Sequence, residues 1–273
     1  MRILIAADME GVTGVVAWDQ VDPKNKEYDR FRKLMTGDVN AAVRGAYEGG
    51  AEEVTVTDGH AWGRNILLEE LDPRARLNSG SPSYWAMVQG VDAAVEAVMF
   101  VGYHARAGSP NAILAHTWSG SVSNVWLNGR PWGEIGWNAA VSGHFGRPVI
   151  LVSGDQTACA EAKALLGSLE TVAVKQATGR GAAECLPPQV TQQAIQVAAS
   201  RAVQRFRAGD APQPLRLEPP LTVSLEFKSC DMADRAMVLP GARRVDGRRI
   251  EFVADDAPAA YRAFRAAVLL GGK

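Results

Sequence analysis

Three apolar runs, over residues 2–8, 53–58 and 94–102, each end beside a residue that can bind a metal. The first, RILIAAD, runs into Asp8, Met9, Glu10 and Gly11. The second, EVTVTD, is followed by Gly59 and His60, and the third, AVEAVMFVG, by Tyr103 and His104. Alternation and β-branching mark the second as a strand, and the apolar character of the first and third fits buried strands. Between the first two, Met35, Val39, Ala42, Val43 and Ala46 fall at helical spacing within residues 26–48, and Gly49-Gly50 stop that helix. Strands alternating with helices predict an α/β fold, a mostly parallel sheet with flanking helices and right-handed crossovers. Ligands of such sheets sit outside the carboxyl ends of the strands, which is where these residues stand.

The pattern continues with a short strand-and-turn unit over 69–77, a helical stretch over 84–88 and a buried strand over 148–153. A helix over 156–166 capped by Asp155 follows, and then a fifth strand over 171–175. Residues 121–127, SVSNVWL, turn at Asn128-Gly129, a strong hairpin signal, and Glu134 opens the next helix. Pro187-Pro188 then break the chain, and a helix over 189–207 reads as a bridge to a second unit. Beyond it, 221–227 alternates, 245–253 holds an Asp246-Gly247 turn and 257–270 forms a closing helix. The expected division is a catalytic α/β domain over 1–186 and a smaller C-terminal α+β domain over 187–273 that suits oligomer contacts.

A chain of 273 residues, 47% apolar and 22% charged, supports a full core. Its net charge of -1 and its lack of any basic run beyond the arginine pairs 243–244 and 248–249 argue against nucleic acid as a partner. No uncharged apolar stretch approaches the roughly 18 residues of a membrane span, and the first apolar run meets Asp8 too soon for a secretory signal. The expected location is therefore the cytoplasm. Cys159, Cys185 and Cys230 show no CxxC spacing and read as buried, reduced core residues.

Asp8 and Glu10, two apart at a strand end, share one side of it, and like charges so placed call for a cation. With His60, His104 and the helix-opening Glu134 they form a mixed nitrogen and oxygen set suited to zinc, manganese or iron(II), with zinc the first choice. Five ligands exceed what one catalytic ion accepts while keeping a place for water, so two ions bridged by Asp8 fit better. Such a site lowers the pKa of water to about 7 and polarises a carbonyl, and His116, in LAHTWSG, is the remaining histidine best placed to move protons. His144, near a helix end, reads as structural. The loops NSGSPS from Asn78 and ATGRGAA from Ala177 match no phosphate-binding motif and read as turns. A phosphoesterase, another amidase or a metal-storing module would use the same cage.

IAADMEG with TDGH, GYHARAG, AHTWSG and NGRPWGEIGWNA, in this order across nearly the whole chain, resemble the D-aminopeptidase DppA family of metallopeptidases. The resemblance implies two zinc ions per subunit held by Asp8, Glu10, His60, His104 and Glu134, with Asp8 bridging and His116 as catalytic nucleophile or base. It further implies release of N-terminal residues, preferentially D-amino acids, from short peptides of the D-Ala-D-Ala type, by a ring-shaped homodecamer. Where the familiar form carries Ser ahead of the acidic pair, this chain has Ala6-Ala7.

Overall fold

A computed structural model describes residues 1–272. Its centre is a seven-stranded sheet in the order β3-β2-β1-β4-β7-β8-β9. The strands are β1 (Arg2–Ala7), β2 (Glu53–Asp58), β3 (Ala75–Asn78), β4 (Ala97–Tyr103), β7 (Val149–Asp155), β8 (Glu170–Gly179) and β9 (Ala182–Cys185). All neighbours run parallel except the β8–β9 hairpin, which the sequence reading ended early at residue 175. β1 is central and buried on both faces: Ile3, Ile5 and Ala7 face one core, Leu4 and Ala6 the other, as period-two geometry requires.

One face is covered by α1 (Tyr28–Glu48) and α4 (Pro188–Arg207), which pack on each other. Gly45 of α1 permits that contact, because a Cβ there would lie 2.1 Å from the Gln196 carbonyl oxygen. α3 (Gln156–Leu166) follows β7, with the Asp155 side chain accepting the Ala158 N–H at its start. The other face meets α2 (Glu134–His144) and a second, antiparallel sheet in the order β11-β12-β10-β5-β6. That sheet comprises β5 (Val122–Leu127), β6 (Arg130–Pro131), β10 (Leu221–Phe227), β11 (Arg243–Arg244) and β12 (Arg249–Ala254), backed by α5 (Cys230–Ala236) and α6 (Ala257–Gly271). Trp137 of α2 stacks on Phe264 of α6 at 4.9 Å, joining the two layers.

Two segments cross the division expected at 186/187. The hairpin β5–β6 pairs with β10 of the second sheet, and α4 returns to cover the first. One expectation is corrected: Cys159 is buried, but Cys185, ending edge strand β9, and Cys230, opening α5, are exposed. Both stand at element ends that no other layer covers. Among the described residues no helix is long and apolar enough to cross a membrane.

Candidate metal centre

The chain builds outward from β1 to β2 and β3 on one side, then returns to lay β4 on its other side. This reversal of strand order opens a crevice at the carboxyl ends of β2, β1 and β4. Asp8 and Glu10 follow β1, His60 follows β2 and His104 follows β4, so three adjacent parallel strands deliver the ligand candidates to one place. The backbone past β1 lies directly on β4. Gly11 N–H donates to the Gly102 carbonyl at 2.8 Å, and a Cβ at Gly11 would sit 1.9 Å from the Tyr103 carbonyl oxygen. Glycine is therefore the residue the turn after Glu10 requires.

Glu134 enters from the first turn of α2, and His116 from the loop between β4 and β5. That loop is held from several sides. Ile113 N–H donates to Asp155 at 2.7 Å, Leu114 N–H to the Arg180 carbonyl at 2.9 Å, and Ala107 N–H to the Thr117 hydroxyl at 3.0 Å. These ties sustain left-handed backbone on both sides of His116, at Leu114 (φ 49°) and Trp118 (φ 67°), where non-glycine residues are strained. Trp118 N–H also donates to Glu134 Oε1 at 2.7 Å.

All six side chains converge. His60 Nδ1 lies 3.1 Å from Glu10 Oε2 and 3.4 Å from Asp8 Oδ1, while His104 Nε2 lies 3.4 Å from Asp8 Oδ2 and 3.2 Å from Glu134 Oε1. His116 Nε2 lies 3.7 Å from Glu134 Oε1 and 3.9 Å from Glu10 Oε1, and its ring stacks on that of His104 at 4.0 Å. The potential donor atoms of Asp8, Glu10 and His104 fall within 4.8 Å of one another, as do those of His104, His116 and Glu134.

Each imidazole has one nitrogen anchored to a backbone carbonyl: His60 Nε2 to Val21 at 2.9 Å, His104 Nδ1 to Ala105 at 3.0 Å, His116 Nδ1 to Leu114 at 2.9 Å. Because a carbonyl only accepts, the anchored nitrogen carries the proton and the other turns a lone pair toward the carboxylates. Lone pairs facing carboxylates repel unless a cation lies between them. Asp8 Oδ2 and His104 Nε2 are both buried without a hydrogen-bond partner among the described residues. Buried polar atoms are rarely left so, and the donor chemistry together with the carbonyl-anchored histidines fits a transition-metal site.

With protons as the only cations, charge is unevenly shared. Burial and the Glu10 carboxylate push Asp8 up to about 7. Burial opposes the ionised forms of Glu10 and Glu134 too, yet His60 holds Glu10, and His104 holds Glu134, below the usual carboxylate range. The same contacts lift His60 and His104 well above an ordinary histidine against the effect of burial. Burial and the adjoining His104 push His116 down.

Three further residues shape this site, and none was picked out from the sequence. Lys175, 1% exposed, rises from β8 and donates to the Glu10, Val12 and Val15 carbonyls at 2.7, 2.9 and 2.6 Å, holding the loop after β1. Asn65 binds Asp58 and the His60 carbonyl, each at 2.7 Å, fixing the turn that carries His60. Trp18 stands edge-on to His116 at 5.2 Å. A buried lysine in an alternating strand carries no local signal of what it holds. Of the tryptophans between residues 118 and 137, Trp118 contributes its backbone N–H to Glu134, Trp132 and Trp137 are core, and Trp126 belongs to the second sheet.

The model of the D-aminopeptidase family of peptidases matches residues 1–266. The chain is 34% identical over 264 residues to a D-aminopeptidase of Bacillus subtilis (strain 168), covering 96% of this chain and 95% of that protein. A solved structure, described as the Zn-dependent D-aminopeptidase DppA from Bacillus subtilis, a self-compartmentalizing protease, is similar with TM-score 0.95 at 33% identity. The match covers 100% of this chain and 98% of that one.

Proposed function

The chain belongs to the D-aminopeptidase family, and from that membership we propose that it is a zinc-dependent aminopeptidase of the cytoplasm. Its substrates are short peptides, preferentially those with N-terminal D-residues such as D-Ala-D-Ala. The observation that carries the metal half of this reading is the orphaned pair Asp8 Oδ2 and His104 Nε2, buried 3.4 Å apart.

Asp8 turns Oδ1 toward His60 and Oδ2 toward His104. That two-sided placement supports a reading in which Asp8 would serve two zinc ions, with Glu10 and His60 available on its Oδ1 side and His104 and Glu134 on its Oδ2 side. Bound zinc supplies Lewis acidity, which acidifies a water to a pKa of about 7 and polarises the scissile carbonyl. His116 moves the proton. Its Nδ1–H is fixed on Leu114, which leaves Nε2 to take a proton from the attacking water and pass it to the leaving amine. Its side chain is 14% exposed, against 1–10% for Asp8, Glu10, Glu134 and the other two imidazoles, so the substrate approaches from its side. The self-compartmentalizing relative supports assembly of this chain into a ring, a homodecamer in our reading.

Purified protein with its zinc counted, assayed on D-Ala-D-Ala and L-Ala-L-Ala before and after chelation, tests the reading. Chelator-sensitive release of alanine from the D-dipeptide is expected. Release from the L-dipeptide alone would overturn the stereochemical claim. Loss of zinc with undiminished hydrolysis would overturn the metal mechanism.

A further inference from the structure

The ATGRGAA segment is the tip of the β8–β9 hairpin, and it brings Arg180 to the rim of the site. Two contacts tie Arg180 to the residues just before His116. Its carbonyl accepts the Leu114 N–H at 2.9 Å, and its Nη2 donates to the Ala115 carbonyl at 3.2 Å. The guanidinium carbon lies 5.6 Å from the centre of the Trp18 ring, whose own centre is 5.2 Å from that of His116. Arg180 is exposed and Trp18 is 41% exposed, so both line the approach to the least buried imidazole of the site. Among the described residues no carboxylate pairs with this guanidinium, which keeps donors in its rigid fork for an incoming anion.

The floor below carries three buried carboxylates, Asp8, Glu10 and Glu134. A peptide with a free C-terminus brings one more negative charge toward them. Extended peptide covers roughly 3.5 Å per residue, so a carboxylate one to three residues past the scissile bond can reach the rim where Trp18 and Arg180 lie beside His116.

We propose that Arg180, steadied by Trp18 and the Ala115 carbonyl, receives the C-terminal carboxylate of the substrate and makes the enzyme selective for very short, free-acid peptides. This rests on the aminopeptidase reading of the site. Arg180 is a specificity-determining residue: it binds the end of the substrate remote from the reacting carbonyl. The bidentate charge-assisted contact forms in ground state and transition state alike, so its loss raises KM far more than it lowers kcat.

The test compares D-Ala-D-Ala with its C-terminal amide on the zinc-loaded wild type and on Arg180→Met and Arg180→Lys. The wild type is expected to show a KM at least tenfold lower for the acid than for the amide. Arg180→Met should bring that ratio close to one and Arg180→Lys should restore part of it. A loop clamp alone would weaken acid and amide equally, so an unchanged ratio in Arg180→Met, or no preference in the wild type, overturns the proposal.

Calorimetric binding of the same two peptides to His116→Ala and to His116→Ala/Arg180→Met separates this claim from the aminopeptidase reading. If the wild type hydrolyses neither peptide, that reading fails. A preference for the acid that vanishes with Arg180 would still support the anion contact, and equal affinities would overturn it.

Discussion

The Lys175 ammonium donates to the main-chain carbonyl of Glu10 at 2.7 Å, so a residue of β8, three strands away from β1, positions the backbone of a candidate metal ligand. The same nitrogen holds the Val12 and Val15 carbonyls. Burial pushes Lys175 down to about 8, and Asp155 and Asp38 oppose that shift.

Lys175→Met keeps the bulk and leaves the Glu10 and Val15 carbonyls without a donor, while the Val12 carbonyl still accepts the Val15 N–H. Each unpaired buried group costs about 1–3 kcal/mol. A loss of about 3 kcal/mol or more is expected in urea unfolding, together with weaker zinc binding in competition with a chelating dye. Wild-type zinc affinity in a folded Lys175→Met would show that the lysine does not position Glu10.

Asp8→Ala and His116→Ala should separate. The first removes the proposed bridge and should lose zinc and turnover together. The second should keep the zinc content of the wild type and lower kcat by about 100-fold or more, the usual scale for a proton-transfer group. Metal analysis and alanine release on the same preparations decide this, and full activity with full zinc in both variants would refute the assignment.

Removing the metal should also weaken the fold, because it leaves Asp8, Glu10 and Glu134 buried beside one another. A ligand present at 1,000 times its Kd stabilises by about 4 kcal/mol, and in a chain of this size each kcal/mol moves Tm by about 2–4 °C. Differential scanning calorimetry before and after chelation should therefore show a fall of about 8 °C or more, reversed by zinc.

Asp38 of α1 supplies a pH dependence away from the metal. It is buried and accepts from Thr13 N–H at 3.0 Å and Thr13 hydroxyl at 3.1 Å, and burial pushes its pKa up to about 6 despite those bonds. Because the folded state holds this proton more tightly than the unfolded state, stability contributed at low pH is lost as pH rises from about 4 to about 6. The change amounts to about 3 kcal/mol. Asp38→Asn should flatten that part of the profile. The difference between wild-type and Asp38→Asn urea midpoints at pH 4 and pH 7 measures it, and parallel profiles would show that folding does not raise the Asp38 pKa.

Strand and helix assignment was legible where one local pattern decided it. The alternation of Leu221–Phe227, the Asn128-Gly129 turn and the helical spacing of α1 each appear in the structure close to where the sequence places them. The antiparallel return of β8 into β9 was not legible. Its strand partner is set by an edge left open on the main sheet and not by residues near the turn.

The same division holds at the site. Asp8, Glu10, His60 and His104 were readable because each follows a strand directly, and parallel strands bring their carboxyl ends to one edge whatever the helices between them do. Local sequence thus determined the fold class and which end of the sheet gathers the metal-capable side chains. Only the tertiary structure decided that β2, β1 and β4 are neighbours and that Lys175 ties down the loop after Glu10. It also decided that Trp18 stands edge-on to His116 and that Arg180 lies against Trp18. Those contacts join residues up to 165 positions apart. No spacing rule spans such a distance, because the partner of a buried donor is chosen by how whole layers pack.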